Sequence, residues 1–164
     1  MADTQTDTQP DQLLVINTQY IKDLSFENPN APKIYSALAE RPPELNINID
    51  VKSTPLHQRT FEVVLNMRIQ ATASEQTAFL VELDYAGMVT LAESVSAAEA
   101  EALLLIETPR HLFPFARSIV AAVTRDGGFP PLVVNPIDFE QFYRLHKKAR
   151  GQAPAAAEAA APDA

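Results

Sequence analysis

Alternation of apolar and polar residues runs through the first half of the chain and predicts four β-strands. Successive side chains of a strand point to opposite faces, so a period of two gives one apolar and one polar face. The predicted strands span residues 13–27, 44–52, 61–73 and 77–91. Their apolar faces carry Leu45, Ile47, Ile49 and Val51 in the second strand, Val63, Leu65, Met67 and Ile69 in the third, and Phe79, Val81, Leu83 and Tyr85 in the fourth.

The first predicted strand does not keep a single phase. Its second half has Tyr20, Leu24 and Phe26 on one face and Asp23, Ser25 and Glu27 on the other. Its first half is out of step with this pattern, which indicates a β-bulge near Asn17. The segment 28–32 ends the strand because its two prolines each remove a backbone donor, and residues 33–43 cross to the second strand.

Beyond Leu91 the apolar period becomes 3.6 residues, which predicts helices. Ser96 and Glu99 have the spacing of a capping box, and the short helix that they begin is expected to end at Thr108, because Pro109 follows. The third predicted helix starts near the end of the chain at Asp138, whose side chain can cap it.

The longest predicted helix lies between these two, in the middle of Arg110–Pro136. Its apolar stripe consists of Leu112, Phe113, Ala116, Ile119, Val120 and Val123. Gly127-Gly128 ends it, since glycine accepts the left-handed conformation common after a helix. Strands followed by helices predict an α+β domain with a four-stranded antiparallel sheet.

Composition narrows the class of protein. The 164 residues include 21 acidic and 13 basic side chains, a formal net charge of −8. This charge argues against nucleic acid or an anionic membrane as the main partner. The chain has no cysteine, no signal-like N-terminus and no apolar run of the roughly 20 residues that a membrane span needs, so we expect a soluble cytoplasmic protein without disulfides.

The chain is expected to form a single domain. We expect residues 1–12 to be a disordered acidic N-terminus, 13–150 the folded domain and 151–164 a flexible tail rich in alanine and proline.

Motifs of catalysis are missing from the sequence. Its four glycines do not form a phosphate-binding loop, and no serine sits in a nucleophile elbow. His57, His111 and His146 are scattered without metal-ligand spacing. Glu99, Glu101 and Glu107 fit the solvated face of a helix. We therefore expect no catalytic residues, no metal and no cofactor.

Several segments carry a family resemblance. The first, Tyr20–Pro32, reads YIKDLSFENPNAP, and the second, Glu75–Glu82, reads EQTAFLVE. Leu112–Arg117 (LFPFAR) and Gly128–Leu132 (GFPPL) follow in the same order. Together these segments resemble the SecB family of bacterial export chaperones. The resemblance implies a four-stranded antiparallel sheet followed by a long and a shorter C-terminal helix, and a homotetramer built as a dimer of dimers.

The resemblance also implies a function and a docking site. SecB-like proteins hold unfolded precursor proteins in the cytoplasm without ATP and deliver them to the ATPase SecA. They dock SecA through an acidic patch on the flat side of the sheet, and the matching positions are Asp23, Glu27, Leu80 and Glu82. If the first and fourth strands are neighbours, three carboxylates surround one leucine. A plain solvated sheet face is the alternative interpretation.

Client binding requires exposed apolar grooves that accept many sequences. In the family these lie between the crossover after the first strand and the helices. The matching candidates are Ile34, Tyr35, Leu45, Ile47, Phe113, Phe115 and Phe139, and core packing is the alternative for each. Tyr35 and Phe115 are the strongest, because Tyr35 lies in a proline-flanked crossover and Phe115 is off the apolar stripe of its helix.

The opposite side of the long helix is made of small residues. Ser118, Ala121 and Ala122 would allow a symmetry mate to approach closely, which is expected for the subunit interface. Three other functions stay open: a SecB-like chaperone that serves another partner, such as an antitoxin; a small-ligand carrier or an enzyme on a similar α+β scaffold; and a purely structural oligomer.

Overall fold

The structure is a computed structural model that describes residues 11–152. Most of the predicted N-terminal segment 1–12 and of the predicted tail 151–164 lies outside the described residues. The elements occur in the predicted order, four strands and then helices, and the crossover between the first two strands also contains a short helix.

The four strands form one antiparallel sheet. They are β1 (Leu14–Glu27), β2 (Glu44–His57), β3 (Thr60–Ala73) and β4 (Gln76–Leu91). Their order across the sheet is β1-β4-β3-β2, so β3 and β4 are central and β1 and β2 are the edges. This confirms the predicted sheet.

One predicted boundary is wrong, because β2 continues past residue 52, where the second strand was expected to end. Pro55 pairs with Phe61, and the strand ends only at His57. A proline is tolerated here because β2 is an edge strand. Such a strand has a hydrogen-bonded neighbour on one side only, so a missing N–H need not remove a bond between strands.

The helices follow the strands in the chain, except for the one in the crossover. They are α1 (Ile34–Glu40), α2 (Ala97–Ala102), a π-helical segment (Leu103–Glu107), α3 (Thr108–Asp126) and α4 (Phe139–Gln152). Of these, α3 makes the main helix contact with the sheet. The capping box of Ser96 and Glu99 is present, as predicted. Asp138 also caps α4, since the Gln141 N–H donates to Asp138 Oδ1 over 3.1 Å.

The expected helix end at Thr108 is wrong, since α2, the π-helical segment and α3 run on without a break. The N–H and the hydroxyl of Thr108 both donate to the carbonyl of Leu103, five residues earlier, the hydroxyl over 2.9 Å. In the interior of a regular α-helix, the ring of Pro109 would clash with a backbone carbonyl of the preceding turn. The wider π-helical turn changes the backbone hydrogen bonds next to Pro109. The helix therefore passes the proline.

One face of the sheet, the helix-bearing face, forms the core with α3. Leu65 pairs with Tyr85 and Met67 with Leu83 across β3 and β4, and all four side chains are buried. Leu112 of α3 packs against Gly87, where a Cβ would lie 3.1 Å from Leu112 Cδ2. The opposite face, the open face, carries Arg68 and Glu82 and no helix packs on it among the described residues.

Two bulges set the phase of β1. The predicted bulge near Asn17 is confirmed by a register shift between Ile16 and Thr18. A second shift lies between Ile21 and Asp23, and it reverses the expected orientation of Tyr20. Tyr20 pairs with Ala86 on the open face, whereas Leu24 and Phe26 pair with Leu83 and Val81 on the helix-bearing face.

The end of α3 is fixed by the predicted glycine pair. Gly128 has a φ of +86°, and the Phe129 N–H donates to the Thr124 carbonyl over 3.1 Å, which closes the helix. Phe129 then packs against Phe79, with ring centroids 4.9 Å apart. The chain after α3 is thereby held against the sheet.

Candidate protein-binding surfaces

The first candidate surface is an acidic patch on the open face. Because β1 and β4 are neighbours, Glu27 pairs directly with Leu80, and Ser25 with Glu82. Asp23 lies one step further along β1 on the same face. The structure therefore brings together the four predicted residues, and we call Asp23, Glu27, Leu80 and Glu82 the acidic patch.

Two further side chains border the acidic patch. Asp84 pairs with Asp23 and accepts a hydrogen bond of 2.6 Å from Asn66 Nδ2. Arg68 forms an ion pair of 3.2 Å with Glu82, and their side chains are 57% and 40% exposed. Asp84 was not predicted as a site residue, although its outward position follows from the same alternation that gave Glu82. The acidic patch and its border together thus hold four carboxylates and one guanidinium.

A polar cluster lies on the open face nearer the start of β3. Tyr20 Oη and Lys22 Nζ donate to the two oxygens of Glu62, each over 2.5 Å, and so tie β1 to β3 across the small residue Ala86. The hydrogen bonds from Lys22 and then Tyr20 lower the pKa of Glu62. Burial, followed by the bond to Glu62, raises the pKa of Tyr20 to about 12.

The second candidate surface is apolar and exposed on the helix-bearing side. Four predicted groove residues are accessible there, with exposed fractions of 37% for Tyr35, 45% for Leu45, 39% for Ile47 and 52% for Phe115. The other three, Ile34, Phe113 and Phe139, are buried at 6% or less and pack in the core cluster. Their burial narrows the predicted client surface to the first four, which we call the apolar strip.

The place of each apolar-strip residue in the fold explains why its side chain is exposed. Leu45 and Ile47 occupy the start of the edge strand β2, on the helix-bearing face. Phe115 of α3 is half exposed and stacks on Tyr85 of the sheet, with ring centroids 6.3 Å apart. Tyr35 is fixed by its hydroxyl, which donates to the Gly127 carbonyl over 2.8 Å.

Several further apolar residues are exposed that were not identified from the sequence, two of them on the helix-bearing face of β1. Ile21 and Leu24 belong to β1, at the other edge of the sheet, and are 49% and 36% exposed. The alternation of apolar and polar residues around them is the same as in a buried strand. Their exposure could therefore be predicted only from the position of β1 at the edge of the sheet. In α3, the predicted interface residues Ser118, Ala121 and Ala122 face away from the sheet, with Ser118 exposed and the two alanines half-buried.

Neither a metal site nor a membrane span is found in the part of the chain that the structure describes. No group of three His, Asp or Glu side chains within residues 11–152 could hold a metal ion. No helix in the same range is long and apolar enough to cross a bilayer.

These features define a class of protein: an α+β sheet protein whose exposed surfaces suit contacts with other polypeptides. A family model described as preprotein translocase subunit SecB matches residues 6–150. The chain therefore belongs to the SecB family.

Curated relatives named protein-export protein SecB agree with this. The protein from Rhodospirillum centenum is 50% identical over 84% of this chain and 82% of its own. The protein from Parvibaculum lavamentivorans is 49% identical over 93% of this chain and 87% of its own. The protein from Rhodospirillum rubrum is 48% identical over 90% of both chains.

A solved structure shares the fold. It is the Mycobacterium tuberculosis Rv1957 SecB-like chaperone in complex with a peptide from the HigA1 antitoxin. It matches with a TM-score of 0.65 over 76% of this chain and 91% of its own, at 14% identity. This likeness concerns the fold alone.

Proposed function

We propose that this chain is a protein-export chaperone that binds unfolded precursor proteins without ATP, keeps them competent for translocation and delivers them to SecA. The observation that carries the proposal is the identity of 44–50% to five relatives named protein-export protein SecB, over most of both chains. The protein acts by binding rather than by catalysis, in the cytoplasm.

The apolar strip is the proposed client surface. Unfolded chains offer apolar side chains, and an exposed apolar surface on an otherwise polar protein marks a place of contact. Leu45 and Ile47 supply such a surface on the edge strand β2, and Tyr35 and Phe115 add exposed apolar area on α1 and α3. An edge strand also has backbone groups without a strand partner, which an extended client can use.

The acidic patch is the proposed SecA surface. Its carboxylates surround Leu80 on a flat sheet face, which suits a basic partner segment with one apolar contact. Charge complementarity of this kind raises the association rate more than the final affinity. The client and SecA surfaces lie on different faces of the sheet, so both partners can be bound at once.

The proposed assembly is a homotetramer, a dimer of dimers. The small outward residues Ser118, Ala121 and Ala122 support close packing of α3 against another subunit. Joining several client surfaces in one particle increases the effective concentration for a long client, so weak local contacts add up. Sedimentation should give the mass of four chains.

An antitoxin-linked chaperone is the second candidate. The SecB-like protein of similar fold was solved with an antitoxin peptide, but it is only 14% identical to this chain. The relatives at 41–50% identity are all named for protein export. Export is therefore the function that we propose.

A dilution experiment tests the function. A denatured precursor is diluted from denaturant with and without this protein, in the absence of nucleotide, while light scattering is followed. We expect aggregation to be suppressed at stoichiometric amounts, and unchanged aggregation would contradict the proposal. Leu45→Ser should weaken suppression several-fold, whereas Leu56→Ser, which changes an equally exposed leucine near the far end of β2, should not.

A further inference from the structure

A bulge in β1 brings a lysine to the border of the acidic patch. In a regular strand, neighbouring residues point to opposite faces of the sheet. The register shift between Ile21 and Asp23 interrupts this alternation at Lys22, which is left out of the pairing with β4. Lys22 therefore reaches the open face, where it bonds to Glu62, and Asp23 of the acidic patch follows it on the same face.

The ammonium group of Lys22 is unfavourable beside a surface proposed to bind a basic segment. Asp23 pairs with Asp84, so two carboxylates lie next to the bulge. Arg68 already lies 3.2 Å from Glu82, and a second cation among these acids would offset more of the negative charge. The side chain of Lys22 is 49% exposed and has a flexible stem, so without a fixed partner it would be free to turn towards either carboxylate.

Glu62, at the centre of the polar cluster, supplies that fixed partner. Glu62 Oε1 accepts from Lys22 Nζ over 2.5 Å, and only 16% of the Glu62 side chain is exposed. Its other oxygen, Oε2, accepts from Tyr20 Oη over 2.5 Å, which fixes the orientation of the carboxylate. Glu62 pairs with Met88, four residues along β4 from Asp84, a distance of roughly 13 Å for a strand. The ion pair therefore holds the ammonium group towards Glu62 and away from the acidic patch.

We propose that Glu62 is a positioning residue for SecA binding: it holds Lys22 out of the acidic patch and so preserves the charge that attracts a basic partner segment. The inference rests on the proposed export function and adds a residue to its SecA surface. Glu62 acts through Lys22 rather than by touching SecA. Removal of the lysine charge should therefore make Glu62 dispensable for SecA binding, which neither a direct contact nor a role in folding would allow.

Kinetic titrations of the full-length protein with SecA at low salt test the proposal. We expect Glu62→Gln to weaken SecA binding about two- to fivefold, as for one exposed charge pair, mainly through slower association. Lys22→Gln should bind at least as tightly as the wild type, and Lys22→Gln with Glu62→Gln should match Lys22→Gln. Glu140→Gln is the matched control, because it frees Arg144 in the same way but on α4, beside the core, and should bind like the wild type.

Several results would overturn the proposal. One is unchanged SecA binding by Glu62→Gln. Another is an equal loss in Glu140→Gln, since only net charge would then matter. A third is a loss in the double variant as large as in Glu62→Gln, since Glu62 would then act without Lys22.

Binding of a denatured precursor is measured alongside and should be unchanged in every variant. A parallel loss of precursor binding in Glu62→Gln would make folding the cause and would also overturn the proposal. Failure of the wild type itself to bind SecA would contradict the proposed export function as well, so the two failures are distinguished.

Discussion

At the scale of single residues, the close packing around the end of α3 depends on two glycines, which have no Cβ. Gly127 lies against the Phe26 ring, and Gly128 against Tyr35, where a Cβ would lie 3.0 Å from the hydroxyl. These two glycines let β1, the crossover and the end of α3 meet in one place. Tyr35, a residue of the apolar strip, is held at this junction.

We predict that Gly127→Ala destabilises the protein by about 1–3 kcal/mol, as overpacking usually does. The added Cβ would lie 2.6 Å from Phe26 Cε1, and the ring is confined between Gly127 and Phe79. Urea unfolding followed by circular dichroism measures the change. Gly151→Ala is the matched control, because a Cβ there meets nothing within 4 Å and the free energy of unfolding should not fall.

The polar cluster of Tyr20, Lys22 and Glu62 gives a pH dependence. The pKa of Glu62 is lower in the folded protein than its unfolded value, near 4.5. The stability that ionised Glu62 contributes is therefore fully present above the unfolded pKa, and it is lost as pH falls through the folded pKa. Unfolding free energies measured from pH 6 down to pH 3 should therefore decline less steeply in Glu62→Gln than in the wild type. Tyr20→Phe, which removes one of the two donors, should be intermediate; identical slopes in all three proteins would contradict this.

At the scale of elements, the connection between α3 and α4 is held by a buried hydroxyl. Thr124 Oγ1 donates to the Val120 carbonyl over 2.9 Å and accepts from the Leu132 N–H over 2.9 Å. Thr124 is completely buried, so no water can replace these bonds. The segment that leads to α4 is therefore fixed by one side chain of α3.

Thr124→Val should cost about 1–3 kcal/mol of unfolding free energy. Valine keeps the shape of threonine, so the loss measures the Leu132 N–H left without its acceptor. Thermal and urea unfolding provide the measurement. Thr124→Ser keeps the hydroxyl and should lose clearly less; if both variants lost the same amount, packing rather than hydrogen bonding would explain the effect.

At the scale of the whole molecule, the sheet separates two kinds of contact. Its helix-bearing side carries the core and the apolar strip, and its open face carries the acidic patch. Because the two surfaces lie on opposite sides of one rigid sheet, changes in one should leave the other intact.

Asp23→Ala with Glu82→Ala should weaken SecA binding several-fold, and the loss should shrink at high salt because exposed charges are screened. Binding of a denatured precursor should not change. Biosensor titrations with each partner measure both affinities. Glu40→Ala with Glu93→Ala removes two exposed acids elsewhere and should leave SecA binding unaffected. An equal loss of affinity for SecA and for the denatured precursor would rule out this assignment of the acidic patch.

Local sequence patterns were enough to predict most of the strands and helices. Strand alternation correctly gave the buried faces of β3 and β4, and the capping residues Ser96 and Asp138 and the glycine pair gave the helix ends. These features depend on residues close together in the chain, so a local pattern is enough to identify them. The family resemblance was likewise carried by contiguous motifs.

Which apolar residues reach the surface depends on how the strands are arranged in the folded sheet. Ile47 and Met67 share the same alternation, yet Ile47 is 39% exposed and Met67 is fully buried, because β2 is an edge strand and β3 is central. The second bulge of β1 and the helix that continues past Pro109 also escaped local reasoning. Exposure and bulge position depend on residues that are distant in sequence, and the local alternation of apolar and polar residues does not reveal these partners.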